Sequence, residues 1–397
     1  MMCPPLEGIR VLDFSRLIAG PYCTMLLGDM GAEVIKVEQP GKGDDSRAFG
    51  PPFINGESVY FFSFNRNKKS ITINLKTEEG KDIIRELIKK SDILVENFRP
   101  GYMEKIGFGF DDVHKLNPGL IYTSVSGYGH TGPDKFRPGY DVVAQGMGGL
   151  MSLTGDPDGP PYKVGTSLAD IMGAIYAFQG TLLALIARQR DGKGQRVDVS
   201  LLDGQVSLLT YQAGIYFSTG KSPTRKGNQH PTISPYETFK ASDEYINIGV
   251  GNDKFWHVFC ELVSLKDIEY DQRFATNPKR VENRDELFPI IQKIIQEKTA
   301  EEWLKLFDEH GIPSGPILSV DKVLTHPQVL ARDMVVEIPH RKAGNIKLTG
   351  IPVKLSDTPG SVKLPPPLLG EHNEEIFTGI LGYNKEQIDS FRKEKII

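Results

Sequence analysis

Cysteine and tryptophan are scarce in this chain, with three of the first and two of the second among 397 residues. Cys3, Cys23 and Cys260 are odd in number and widely spaced, which argues against a disulfide framework and against a cysteine-based zinc site. The eight histidines include no H-x-x-x-H or H-x-H pair, so no metal centre is expected. Neither sign of charge prevails: 47 Lys and Arg stand against 51 Asp and Glu, a net charge of −4. The most basic run, Arg66-Asn-Lys-Lys69, is short and not interleaved with aromatics, so nothing marks a nucleic-acid partner. No apolar run approaches the roughly 20 residues that cross a bilayer. The opening Met1-Met-Cys-Pro-Pro-Leu-Glu-Gly8 has neither the basic nor the apolar region of a leader. These absences lead to the expectation of a cytoplasmic protein in a reducing compartment, with no membrane partner.

What is present is an alternation of strand and helix patterns over the first two hundred residues. Strands are expected at Ile9–Phe14, Glu33–Val37, Ile71–Leu75, Ile93–Asn97 and Leu120–Val125, with helices over Tyr22–Met30 and about Glu79–Lys90. Such alternation predicts an α/β fold: a doubly wound, Rossmann-like parallel sheet with helices on both faces. Ligands of such sheets bind at the carboxyl ends of the strands. Here those ends carry the polar, glycine- and proline-rich loops Ser15–Pro21, Glu38–Asp44, Asn97–Gly101 and Ser126–Gly132. The length predicts more than one domain. We expect a large domain over residues 1–217, a linker over 218–235, a smaller α+β domain over 236–333, and a return segment over 334–397 that packs with the large domain. In the smaller domain a strand is expected at Tyr245–Val250 and helices near Phe255–Val263, Arg284–Glu297 and Glu301–His310. A further helix-like stretch spans Val320–Arg332. Met334–Ile338 and Asn345–Leu355 read as a strand pair.

Asp170 is the candidate nucleophile. It lies in Gly165-Thr-Ser-Leu-Ala-Asp-Ile-Met-Gly173, just ahead of apolar residues at helical spacing: Ile171, Ala174, Ile175, Phe178, Leu182, Leu185 and Ile186. In a first helical turn, free N–H groups and the helix dipole favour an anion, so the carboxylate is expected to stay ionised at neutral pH and to attack an activated acyl carbon. The plainer reading is a capping box with Ser167 at the N-cap. Gly127-Tyr-Gly-His-Thr-Gly132 matches the glycine spacing of a dinucleotide fingerprint and follows a strand. Pro133-Asp-Lys-Phe-Arg-Pro138 follows it, with two prolines and no helical period, so it is expected to form a tight loop near a ligand. No P-loop and no G-x-S-x-G elbow occur.

Taken together, Leu12-Asp-Phe-Ser-Arg-Leu-Ile-Ala-Gly-Pro21 and Gly28-Asp-Met-Gly-Ala-Glu-Val-Ile-Lys-Val-Glu38 resemble the opening of the class III CoA-transferases, the group of formyl-CoA:oxalate CoA-transferase. Asn65–Ser70, Val95–Phe98, Ser126–Gly129, Pro138–Asp141, the Asp170 segment and Pro366–His372 continue the resemblance along nearly the whole chain. It implies an aspartate nucleophile at Asp170 that passes through an acyl anhydride and an aspartyl-CoA thioester. Coenzyme A or acyl-CoA is then a substrate, with no tightly bound cofactor and no metal. The resemblance places Leu17, Ala19, Leu75, Asn97, Arg99 and Lys105 against CoA. Lys105 stands where the formyl-CoA enzyme has arginine, and Gln39 replaces a basic residue. It also implies an acyl pocket with Ile18, Tyr60 and Tyr140, in which Arg47, Arg99 or Arg137 clamps a distal carboxylate.

One departure bears on the acceptor. The region Gly227–Tyr236 lacks the glycine run of the formyl-CoA enzyme's flap. Gly43–Arg47, Gly50–Phe53 and Pro235-Tyr236 look more like the branch that handles dicarboxylates, the succinyl-CoA:glutarate type. Family members form interlocked homodimers, which the resemblance implies here. Two rivals stand. An α-methylacyl-CoA racemase would need a histidine where Tyr140 stands, and His130 is the substitute base at hand. A nicotinamide-dependent dehydrogenase would need the glycine motif to open a helix. A non-catalytic binding protein is the third reading.

Overall fold

The computed structural model describes residues 3–397. They divide into two units. One holds residues up to Met151, Lys163–Gly220 and Pro327–Ile397; the other holds Ser152–Tyr162 and Lys221–His326.

The first unit is built on a six-stranded parallel sheet of β1 (Arg10–Asp13), β2 (Glu33–Glu38), β3 (Lys68–Thr72), β4 (Ile93–Glu96), β5 (Ile121–Ser126) and β6 (Arg196–Ser200). Its order is β3-β2-β1-β4-β5-β6, so the winding reverses between β1 and β4. Alternate side chains leave opposite faces of each strand. Val11, Val34, Ile93 and Ile121 pack on one side with α1 (Ala19–Asp29) and α4 (Leu168–Asp191). Leu12, Ile35, Leu94 and Tyr122 pack on the other with α2 (Glu78–Lys89) and the C-terminal helices. Each such aliphatic side chain taken from water contributes about 1.5–3 kcal/mol. The α2 sequence specifies its own ends: Thr77 caps the Gly80 N–H, Glu78 and Glu79 fill the first turn, and Ile83, Ile84, Leu87 and Ile88 form the buried face.

The third strand runs over Lys68–Thr72, three residues upstream of the predicted Ile71–Leu75. Its start is polar because Lys68 is fully buried, with Nζ bound to Asp13 Oδ2 at 3.0 Å, Pro21 O at 2.8 Å and Asn65 Oδ1 at 2.9 Å. β6 has no counterpart among the predicted strands, because Arg-Val-Asp-Val-Ser lacks an apolar run. Helix α4 is long and apolar enough to cross a membrane, with a mean hydropathy of 1.5. Ala169, Gly173, Ala174, Ala177, Thr181, Ala184 and Leu185 bury one side of it in the core beside β5 and α1. The return segment rejoins this unit. Asn67 N donates to Leu364 O, His372 N to Ser70 O and Asn74 N to Ile396 O, while Ile376, Phe377 and Ile388 enter the core.

The second unit contains an antiparallel sheet of β7 (Tyr236–Lys240), β8 (Tyr245–Gly249) and β9 (Ser314–Pro316), with β8 central. Helices Asp253–Leu262, Arg284–Ile295 and Ala300–Glu309 supply Trp256, Phe259, Leu287, Ile291, Trp303 and Phe307 to its core. The predicted helix-like stretch Val320–Arg332 is two short helices, Val320–Leu324 and Pro327–Ala331, interrupted ahead of Pro327. Cys3, Cys23 and Cys260 are all free.

Candidate active site

A cleft of about 740 Å³ opens in the first unit, where the winding of the sheet reverses. Its walls come from the loops after β1 (Arg16–Ala19), β4 (Asn97–Pro100) and β5 (Ser126, Gly127). Residues 137–142 and the start of α4, with Ser167 and Asp170, complete them. Strand carboxyl ends diverge at such a reversal, which makes the crevice without further folding.

The first loop is fixed at every residue. Ser15 donates from N and Oγ to Asp13 Oδ1, and Ser15 O accepts from Lys36 Nζ at 2.9 Å. Arg16 N donates to Asn97 Oδ1 and Arg16 O accepts from Asn97 Nδ2, both at 2.8 Å. Leu17 takes a left-handed φ of 66°, and its N–H donates to Asp44 Oδ1 at 3.1 Å. Asp44 is itself paired with the buried Lys36 Nζ at 2.8 Å. Burial opposes its ionisation, but Lys36 and the Ser46 bonds hold the carboxyl down to about 2. The loop ends at Ile18, the N-cap of α1, which has no side-chain cap.

The opposite wall depends on two glycines. A Cβ on Gly139 would fall 2.5 Å from Gly127 Cα, and one on Gly127 would fall 2.7 Å from Gly139 Cα. The two backbones therefore touch, and this contact fixes Tyr140 and Asp141 at the cleft. α3 (Asp141–Met147) starts there.

Asp170 is partly buried on the cleft wall, in the first turn of α4. Ser167 occupies the N-cap, but its hydroxyl makes no capping bond. The leading amides are taken otherwise: Ala169 N by Asp141 Oδ1 at 2.8 Å, Leu168 N by Thr166 O and Ile171 N by Ser167 O. The expectation of a carboxylate that stays ionised at neutral pH is corrected here. Burial, and after it the Asp141 carboxylate, push Asp170 up to about 7. The favourable helix terminus is spent on Asp141, so desolvation prevails. Tyr60 also lines the cleft, its ring edge-on to Phe49 and Phe64. Burial, then the charges of Asp170, Asp141 and Asp44, push its hydroxyl upward, which makes Tyr60 a neutral donor.

Residues 6–373 match the model of "CoA-transferase family III". The chain belongs to that family. It is 44% identical over 385 residues to "Succinyl-CoA:glutarate CoA-transferase" of Mus musculus, covering 97% of this chain and 88% of that protein. It is 41% identical over 367 residues to "Acetyl-CoA:oxalate CoA-transferase" of Acetobacter aceti, covering 91% and 93%. The crystal structure of a CAIB/BAIF family protein from Brucella suis superposes with a TM-score of 0.85 at 40% identity, covering 95% of this chain and all of that one.

For a CoA-transferase of this family, the structure sorts the sequence-predicted residues into two groups. Leu17, Ile18, Ala19, Tyr60, Asn97, Arg99, Arg137, Tyr140 and Asp170 all line the cleft. Arg47, Leu75 and Lys105 do not. Arg47 grips Glu38 through Nε and Nη2, donates to Pro367 O and lies over the Phe61 ring at 3.7 Å, so it braces the sheet edge instead of meeting an acyl group. Leu75 packs into the core on the α2 side of the sheet, and Lys105 is exposed on the short helix Tyr102–Lys105. The Asn97 side chain spends one donor and its acceptor on the Arg16 backbone, a positioning task.

Sequence reasoning missed Arg16, which lines the cleft with its guanidinium over Phe98 at 5.4 Å and Nη1 no closer than 3.8 Å to Asp45. It also missed Gln145, although the spacing Asp141–Gln145 is one helical turn and was there to be read. No histidine lines the cleft among the described residues. His130 stands off it, 3.8 Å from Glu96. The loop Gly127–Gly132 opens no helix; the next is α3. Both facts weigh against the racemase and dehydrogenase readings.

Proposed function

We propose that this protein transfers CoA from an acyl-CoA donor, succinyl-CoA by preference, to a free dicarboxylic acid, with Asp170 as nucleophile. The observation that carries the reading is Asp170 itself. It is a carboxyl group without a hydrogen-bond donor among the described residues, on the wall of the cleft where the sheet reverses. Family membership and two relatives named for dicarboxylate acceptors support the substrate class.

In the first step the Asp170 carboxylate attacks the donor thioester carbonyl, the C–S bond breaks, and CoA leaves as thiolate. The product is a mixed acyl-aspartyl anhydride. The thiolate then attacks the aspartyl carbonyl, which releases the donor acid as carboxylate and leaves an aspartyl-CoA thioester. An acceptor carboxylate repeats both steps in reverse. Every intermediate stays activated, so no ATP is consumed, and a carboxylate is the side chain whose acyl derivative can return the group. The α1 terminus at Ile18–Gly20, without a side-chain cap, and the neutral Tyr60 hydroxyl are the donors available to a developing oxyanion. Arg16 and Arg99, whose guanidinium groups make no hydrogen bond among the described residues, are the cations available for a distal carboxylate. Arg137 is engaged by Asp134 at 3.0 Å.

Purified protein should convert succinyl-CoA and glutarate to glutaryl-CoA and succinate, followed by mass spectrometry across a panel of mono- and dicarboxylates. Hydroxylamine should trap an acylated Asp170. No new thioester with any acid in the panel would refute the reading. We further propose that the active form is an interlocked homodimer in a reducing, cytoplasmic setting, which the free cysteines support.

A further inference from the structure

Asp141 has a task that the reaction steps above do not use. Its Oδ1 accepts the Ala169 N–H at 2.8 Å, one residue before the nucleophile. Gln145, fully buried one turn along α3, donates from Nε2 to Asp141 Oδ1 at 3.0 Å and to Oδ2 at 2.8 Å. The same amide accepts the Val164 N–H on Oε1 at 2.9 Å. The loop that leads into α4 is thus tied at Val164 and at Ala169 by one side-chain pair, and the Gly127–Gly139 contact anchors that pair in turn. Asp170 receives none of these bonds. Its oxygens are left bare toward the cleft, with a second carboxylate beside it.

We propose that Asp141 and Gln145 form a clip that positions Asp170 and sets the pH at which it becomes nucleophilic, Asp141 being the positioning residue that carries the charge. The inference rests on Asp170 being the reacting group. The clip takes the helix-terminal amide that would otherwise stabilise the Asp170 anion and substitutes a negative charge for it. The other charged or titratable groups of the cleft are Tyr60, Tyr140, Arg16, Arg99, Arg137 and Asp45, and none of them is hydrogen-bonded to Asp170. A nucleophile held this way, pushed up to about 7 by burial and then by Asp141, is divided between acid and anion near neutrality, so a neighbouring charge decides its state. Its lone pairs are never committed to a cap.

The test uses Asp141→Asn and the exchange Asp141→Asn/Gln145→Glu. In the exchange, the new amide at position 141 can donate from its nitrogen to the new carboxylate at position 145. That carboxylate can accept from Val164 N, and the amide oxygen at position 141 can accept from Ala169 N. The ties to Val164 and Ala169 survive, the long 3.5 Å donation from Gln145 Nε2 to Thr166 O is lost, and the charge passes to position 145. Asp141→Asn should move the acid limb of kcat/KM for the thioester donor down by roughly half a pH unit or more and lower the plateau roughly tenfold. The exchange should restore much of the plateau and keep an acid limb below that of the wild type.

A second readout needs no turnover. Asp170→Asn should raise the melting temperature increasingly as pH rises from about 4 to about 7. In the Asp141→Asn background that gain should level off at a lower pH. Acid limbs at the wild-type pH in both variants, or a melting gain with an unchanged pH dependence, overturn the clip. Wild-type protein that exchanges CoA with no acid overturns the functional reading instead, and the melting series still decides the clip.

Discussion

At the residue scale, chemistry is concentrated in Asp170 and in the cost of keeping it in the cleft. Its carboxyl titrates at about 7 against 3.8 in a free chain, because burial and then Asp141 disfavour the anion. A native state that binds the proton more tightly than the unfolded chain loses stability as pH rises between those two values and loses no more above them. Asp170→Asn should therefore melt higher than wild type at pH 8 by roughly 2 °C or more, with the difference vanishing near pH 4. The same substitution should lower CoA exchange by roughly a thousandfold or more. The wild-type rate should fall below about pH 7 as the nucleophile takes up its proton, read as an acid limb in kcat/KM. Arg16 is the second residue on which function turns. Arg16→Ala should raise the KM for a dicarboxylate acceptor roughly tenfold or more, the worth of a charge-assisted bond. The KM for a monocarboxylate of equal length should be little changed. An equal rise for both acids would assign Arg16 to CoA.

At the scale of elements, two devices hold the cleft walls. One is the buried network under the first loop, in which Asp13, Lys36, Lys68 and Asp44 sit in or beside the ends of β1, β2 and β3. Removing one member of a buried pair leaves an unmatched charge, so Asp44→Ala should destabilise the protein by about 3–5 kcal/mol. It should also raise the KM for the donor, because Leu17 N loses the acceptor that keeps it in the left-handed region. The sign with pH is opposite to that of Asp170. The Asp44 carboxyl lies at about 2, below its free value, so its stabilisation is present above pH 4 and is lost as pH falls toward 2. The other device is the close approach of Gly127 and Gly139. Gly139→Ala should cost about 1–3 kcal/mol through overpacking. Because Asp141 and Tyr140 follow directly, activity should fall further than stability, measured as a kcat loss at temperatures where the variant remains folded.

At the scale of the molecule, the first unit leaves several large apolar side chains uncovered. Leu183 and Ile186 on α4, and Tyr216 and Phe217 on the helix Thr210–Thr219, are each at least half exposed. Exposed apolar side chains of this size are what the proposed homodimer would cover, and light scattering should then give twice the chain mass. Replacing Phe217 and Leu183 with aspartate should shift that mass toward the monomer. The architecture around it was legible where hydrophobic period and element coincide. The continuous apolar runs Val11–Leu12 and Ile93–Val95 predict β1 and β4. The four buried aliphatics of α2 predict a helix whose ends fall within a residue of those found. It was legible only at the end of β3 and not at all at β6, where strand positions carry Lys, Ser, Arg and Asp. Lys68, Lys69 and Ser70 of β3 and Asp198 of β6 are bound to partners far away in sequence, and no local window contains those partners.

The chain by itself determined the parallel sheet, the loops at its carboxyl ends, and the aspartate at the head of a long apolar helix, because all three follow from local spacing and turn chemistry. Only the tertiary structure decided that Arg47 is bound to Glu38 and lost to the cleft, that Arg16 is held there by Asn97, and that Asp141 caps the helix of Asp170. Each of these is a competition between a site and an alternative partner, resolved by burial and by distances between residues from 9 to 81 positions apart. The ionisation of Asp170 is the sharpest case. Its sequence position favours the anion, and the desolvation and neighbouring charge that outweigh that preference arise only once the fold has closed around it.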